Sequence, residues 1–201
     1  MLESLSMAFV AKLVAAFLLG SVPFAKLSML GTGVDITKFG SGNPGFNNVM
    51  RYSKWRSVIC LIGDAGKGAL AIWLLTAAGE PAMAQWAYGL AAVAGHCFSP
   101  WLGFNGGKGI ATAAGVMLLL YPKALLPCVC SYIVLRIVGS KLEWPERGTI
   151  ASLSSSVLFV VLLAVTEGHF SAALGLVLLL FVAWRHKKNF QVLADAAQSR
   201  G

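Results

Sequence analysis

The residues best suited to chemistry lie between Lys38 and Arg51, where the sequence reads KFGSGNPGFNNVMR. Glycine permits positive φ and close approach to a ligand, so GSGNPG can turn several backbone N–H groups inward as a concave anion nest. Ser41, Asn43, Asn47 and Asn48 add neutral donors, and Arg51 adds a planar fork that fits a phosphate bidentately. The pattern is not the G-x-x-x-x-G-K-[ST] loop of nucleotide-binding proteins. The plainer reading is a long turn with an Asn-Pro bend and an arginine placed by membrane topology.

A second stretch, FNGGKGIATAAG, sets Gly106, Gly107, Lys108 and Gly109 directly before an apolar segment. The start of a helix favours anions through its orphan N–H groups and its positive dipole end. Lys108, flanked by glycines, then reads as a ligand for phosphate or carbonyl, against the alternative of a lysine reaching for the membrane surface. Asp64 and Lys67, in GDAGKG, stand i and i+3 on a helix and can pair as structural support for the loops. His96 and His186 fall at helix ends beside the polar stretches. His96 is read as structural support, whereas His186, with Asn189 close behind it in RHKKN, can hold an anionic or hydroxylated substrate.

Other chemistries find no residues. There is no G-x-S-x-G elbow and no ordered Ser-His-Asp set. Asp35, Glu143 and Glu146 read as separate loop residues and form no carboxylate pair. The four cysteines (Cys60, Cys97, Cys128, Cys130) have neither redox nor zinc spacing and read as small buried hydrophobes. No metal or cofactor is expected. Direct transfer between two bound, phosphate-bearing substrates remains, with catalysis by positioning and charge stabilisation.

The elements that position these groups are set by composition. Of 201 residues, 57% are hydrophobic and 12% charged, and the mean hydropathy is +0.74. A soluble domain carries about a quarter charged residues, so the expectation is an all-α integral membrane protein, one domain over 1–201. Apolar segments fall at 5–30, 57–78, 82–97, 107–121, 123–139, 149–166 and 169–184, giving about seven transmembrane helices. With the N-terminus outside, the inner loops hold Lys38, Arg51, Lys54, Arg56, Lys108, Lys141, Arg147, Arg185, Lys187, Lys188 and Arg200, eleven of the sixteen Lys and Arg. The outer turns hold only Lys123; Lys12, Lys26, Lys67 and Arg136 fall within helices. The positive-inside rule then makes the C-terminus cytoplasmic. Every long, glycine-rich polar stretch falls on that same inner side, so a site facing the cytoplasm is expected.

The two glycine stretches also resemble a known family, the bacterial membrane acyltransferases that use acyl phosphate to acylate glycerol 3-phosphate (the PlsY type). Ser41, Gly42, Asn43, Gly45, Asn48 and Arg51 fall on its first motif. Gly95, His96, Phe98, Phe104, Gly106, Gly107, Lys108, Gly109, Ala111 and Thr112 fall on its second, and Arg185, His186 and Asn189 open its third. GSVPFAKL at 20–27 and D-x-x-KG at 64–68 also fit. The resemblance implies seven helices, an outside N-terminus, and glycerol phosphate and acyl phosphate held by the inner loops. It implies attack of the glycerol 1-hydroxyl on the acyl carbonyl, giving lysophosphatidate and inorganic phosphate without an acyl-enzyme. Lys108, His186 and Asn189 are the expected catalytic residues, in a monomer of the bacterial cytoplasmic membrane. The chain departs from the pattern at Phe46, Asn47, Val192, Ala196 and Gln198. The alternative is a non-catalytic phosphate- or phospholipid-binding membrane protein on the same scaffold.

Overall fold

A computed structural model of the chain describes residues 7–198, and those residues form helices without a single strand. They divide into two compact units, one running to Leu120 and one beginning at Tyr121. The first holds α1 (Met7–Ser21), α2 (Phe24–Leu27), α3 (Phe46–Tyr52), α4 (Lys54–Leu75), α5 (Ala82–Cys97) and α6 (Ile110–Leu120). The second holds α7 (Pro122–Lys141), α8 (Arg147–Thr166), α9 (His169–Arg185) and α10 (Lys187–Gln198). Four stretches are long and apolar enough to cross a membrane, with a fifth if α9 and α10, bent by 65°, count as one span. The α5 and α6 segments are shorter, at 16 and 11 residues.

In the first unit α1 packs on α5 and α4 on α6. Lipid gives apolar helices no hydrophobic reason to associate, so close backbone approach through small residues must hold them. A Cβ on Gly20 would run into the Ala92 backbone, and one on Gly95 into that of Phe17. Gly68 meets the Thr112 carbonyl and Gly115 that of Ala65 in the same way. Two glycines thus close each pair. Large apolar side chains face outward, as in Val14, Leu18, Ile62 and Leu74, where acyl chains replace water. Trp55 and Trp73, 71% and 69% exposed, stand near opposite ends of α4. Their separation along the helix is about 27 Å, close to one hydrocarbon thickness, and tryptophan favours both interfaces.

Several sequence boundaries change. The first apolar segment is broken: α1 ends at Ser21, and Pro23, which lacks an N–H, separates it from α2. The break is pinned from three sides, by the Ser99 hydroxyl donating to Ser21 O at 2.6 Å, the Trp101 indole N–H donating to Ser21 Oγ at 3.0 Å, and Lys67 Nζ donating to Val22 O at 2.7 Å. The second helix starts at Lys54, capped by the Ser53 hydroxyl, so Lys54 and Arg56 lie in its first turn rather than in a loop. Arg56 reaches back to the Ser28 and Leu30 carbonyls at 2.6 and 3.0 Å. The fourth helix starts at Ile110, which leaves Gly107, Lys108 and Gly109 outside it. The polar stretch after Lys38 contains α3, and the tail contains α10. Cys60, Cys97 and Cys128 are buried as expected, but Cys130 is exposed.

Lys12, unexplained by sequence, pairs with Glu80 at 2.7 Å. Glu80 also accepts from the Ala77 N–H at 2.8 Å and from the Tyr88 hydroxyl. The Lys12 hydrogen bond, the Tyr88 hydroxyl and the Ala77 N–H hold its carboxyl down to about 2. The pair ties α1 to the turn before α5.

In the second unit α8 packs against both α7 and α9. Pro122 opens α7, where its missing N–H is an orphan in any case. Gly139 sits under Trp144 and Arg147, closing the turn from α7 to α8. The Tyr121 and Ser171 hydroxyls lie 3.2 Å apart.

Candidate active site

The stretch from Ile36 to Arg51 is organised around Asn48, which is 1% exposed. Its Nδ2 donates to the Ile36 and Phe39 carbonyls at 3.1 and 2.8 Å, and its Oδ1 accepts from the Ser41 N–H at 3.1 Å. Both amide hydrogens are therefore committed inside the protein, and Asn48 is a staple for the loop rather than a group offered to a ligand. Residue type alone does not separate Asn48 from Asn47, which is exposed. Ahead of it, Asp35 accepts from the Thr37 hydroxyl and N–H, which lower its pKa.

The expected nest of inward N–H groups does not form in this conformation. The Gly42 N–H donates to Phe39 O, the Gly45 N–H to Asn43 O, and the Asn43 N–H to Ser41 Oγ at 3.4 Å. Gly42, at φ +70°, makes the turn that lets the loop bond to itself. Side chains are left to meet an anion. The Ser41 hydroxyl accepts from Asn43 but donates to no described residue, and the exposed Arg51 guanidinium has no partner among them.

The second loop is built differently. The Gly106 and Gly107 N–H groups donate to Cys97 O and His96 O at 3.0 and 3.2 Å. A Cβ on Gly106 would strike the His96 carbonyl, and one on Gly107 the His96 ring at Nε2. These glycines permit contact with the end of α5, and Lys108 is carried on the segment so fixed. Gly109 follows at φ +88°, its carbonyl accepting from Ala113 N to start α6.

Beneath both loops is a buried charged cluster. Asp64 and Lys67 lie mid-helix in α4 and pair at 2.8 Å, with side chains 3% and 4% exposed. His96 Nδ1 lies 3.4 Å from Asp64 Oδ1, and Cys60 Sγ approaches Asp64 Oδ2 at 3.5 Å. Breaking a buried pair by removing one partner costs about 3–5 kcal/mol because the survivor is left uncompensated. A small cleft is lined by Asp64, Lys67 and His96 together with Pro44 of the first loop and Gly107 of the second. The structure thus brings the two glycine stretches and the supporting residues to one place.

His186 and Asn189 belong to the second unit. His186 is 3% exposed, and its Nδ1 lies 2.8 Å from Val182 O. A carbonyl only accepts, so Nδ1 carries hydrogen and the neutral ring keeps Nε2 as its acceptor. The Asn189 Nδ2 donates to Glu146, which also accepts from the Thr149 hydroxyl at 3.0 Å. Glu146, 43 positions earlier, carried no signal for this contact. Among the described residues, no group of three or more His, Cys, Asp and Glu has metal-binding geometry.

The glycerol-3-phosphate acyltransferase family model matches residues 10–196. A glycerol-3-phosphate acyltransferase of Azotobacter vinelandii is 39% identical over 184 residues, covering 90% of this chain and 93% of that one. One from Laribacter hongkongensis is 38% identical, covering 96% of each. The crystal structure of PlsY (YgiH), an integral membrane glycerol 3-phosphate acyltransferase, in its glycerol 3-phosphate form superposes with a TM-score of 0.82 at 27% identity, over 94% of this chain and 92% of that one. Its lysophosphatidic acid form superposes with a TM-score of 0.81. With its apolar helices, its motif-bearing loops and these matches over nearly its whole length, the chain belongs to the glycerol-3-phosphate acyltransferase family of integral membrane proteins.

Proposed function

We propose that this protein moves an acyl chain from acyl phosphate to the 1-hydroxyl of glycerol 3-phosphate, giving lysophosphatidate and inorganic phosphate. The observation that carries this reading is the loop anchored by Asn48. Its backbone N–H groups donate to acceptors within the loop, yet it presents the Ser41 hydroxyl and the Arg51 guanidinium outward. A phosphate supplies acceptors for both, and each charge-assisted hydrogen bond to it is worth about 1.5–3 kcal/mol.

Ser41 and Arg51 hold the phosphate of the acceptor, while Asn43 and the turns at Gly42 and Gly45 shape the loop. Lys108, carried by Gly106, Gly107 and Gly109, stabilises charge growing on the acyl carbonyl or the departing phosphate. The acceptor hydroxyl attacks the acyl carbonyl, the C–O bond to phosphate breaks, and the hydroxyl proton passes to a phosphate oxygen. His186 and Asn189 are assigned to hydrogen bonds with the reacting hydroxyl. Asp64, Lys67 and His96 act beneath the loops as positioning groups.

The protein is read as a monomer of a bacterial cytoplasmic membrane, crossing it seven times with the N-terminus outside and the site facing the cytoplasm. The eleven-to-one distribution of Lys and Arg supports that orientation. Purified protein mixed with acyl phosphate and labelled glycerol 3-phosphate tests the reaction: labelled lysophosphatidate is expected. Its absence in a folded preparation that still binds glycerol 3-phosphate would favour a non-catalytic phosphate-binding protein instead.

A further inference from the structure

The geometry of the second unit assigns to Glu146 a task that no motif gives it: we propose that Glu146 is a positioning residue that sets the orientation of the Asn189 amide. This rests on the acyl-transfer reading above, in which Asn189 contacts the reacting hydroxyl.

Ionised Glu146 has acceptors only, so whichever end of the Asn189 amide faces it must be the NH2 end. The contact is made, with Asn189 Nδ2 donating to Glu146 Oε2. The amide oxygen of Asn189 is thereby turned away from Glu146. A neutral partner such as serine or another amide could meet either end and would leave the choice open. The same Glu146 oxygen accepts from the Thr149 hydroxyl, so the carboxylate is itself held from two directions.

The backbone conformation is also unusual, shared among the described non-glycine residues only with Phe104 and Glu143. Glu146 sits at φ +51°, ψ +33°, a left-handed conformation that side chains rarely adopt. From there its carbonyl accepts from the Thr149 and Ile150 N–H groups and starts α8, while its side chain reaches the first turn of α10. Strain of this kind persists where surrounding contacts over-determine it and gathers at functional sites. Glycine would relieve the strain but could not make the contact.

The test is a set of swaps read by steady-state kinetics with acyl phosphate and glycerol 3-phosphate, on variants whose melting temperatures are also measured. Glu146→Ala is expected to lower kcat about tenfold or more while KM for glycerol 3-phosphate stays within about threefold, as for a misplaced group that acts mainly in the transition state. Asn189→Asp sets two carboxylates against each other and is expected to lower kcat at least as far. Glu146→Gln/Asn189→Asp restores one donor facing one acceptor with the polarity reversed, and is expected to recover at least half of the logarithmic loss. A merely structural Glu146 would lower the melting temperature and show no such recovery. If wild-type enzyme turns over but Glu146→Ala keeps its kcat, or the double swap is no better than Asn189→Asp alone, the positioning role is overturned and the reaction stands. A folded wild type without turnover overturns both.

Discussion

Two glycine-rich loops in the first unit look alike in sequence and are made for different reasons. In the loop that ends at Arg51, glycine supplies backbone conformation: Gly40 and Gly42 take positive φ, and Asn48 ties the result together. In the loop that carries Lys108, Gly106 and Gly107 supply room, since a methyl group on either would collide with the end of α5. The first loop holds its shape through hydrogen bonds at the protein rim. The second leans on a buried histidine that is tied in turn to Asp64. One tolerates adjustment, and the other transmits any intrusion into a buried charged cluster.

The largest effect should therefore come from Gly107→Ala. The new methyl meets the His96 ring, whose Nδ1 side is held by Asp64, and overpacking of a filled site costs about 1–3 kcal/mol. Activity is expected to fall by about a hundredfold or more where displacement reaches Lys108, with a lowered melting temperature. Near-normal turnover would break the contrast between the loops.

Asn48→Ala comes next. It removes three hydrogen bonds and leaves the Ile36 and Phe39 carbonyls without their donor, an expected loss of about 2–3 kcal/mol. Hydrogen exchange should quicken at residues 39–42, and KM for glycerol 3-phosphate should rise more than kcat falls. Unchanged exchange there would show that the loop does not depend on its staple.

Arg51→Lys sharpens the reading of the first loop. It keeps the charge and loses the bidentate fork, so KM for glycerol 3-phosphate should rise about tenfold with a smaller effect on the donor. Gly42→Ala should cost only about 1–2 kcal/mol, the usual penalty for a left-handed non-glycine residue, because the nearest atom to its new methyl, Thr37 O, is 3.1 Å away. A loss as severe as that of Gly107→Ala would erase the distinction.

The smallest effect belongs to the Lys12–Glu80 pair, which lies outside both loops. Its carboxyl is held down to about 2 from 4.5. A depressed carboxyl contributes stability that is fully present above the unfolded value and is lost as pH falls through the folded one. Melting temperatures of wild type and Glu80→Gln should differ most at about pH 5 and converge towards pH 2. Turnover at neutral pH should be little changed, and a difference that grew on acidification would contradict the sign.

Much of this is legible in the sequence. Apolar run length and charge distribution mark out the helices, because a chain in lipid must satisfy its backbone internally and helices do so locally. The i,i+3 spacing of Asp64 and Lys67 announced their pair for the same local reason. The glycine, serine and arginine types also marked the two loops, since few other demands call for them together.

Tertiary structure decided what depends on partners distant in the chain. It took Lys67 to the Val22 carbonyl, Arg56 to Ser28 and Leu30, and Lys12 to Glu80. It made Asn48 a staple while leaving Asn47 exposed, although their types and neighbourhood in the sequence are the same. It showed that the N–H groups of Ser41, Gly42, Asn43 and Gly45 are already bonded, which no count of glycines reveals. And it placed Glu146 on Asn189 across 43 positions. A residue type states which hydrogen bonds a side chain can make. Only the fold states which groups arrive within 3 Å to make them.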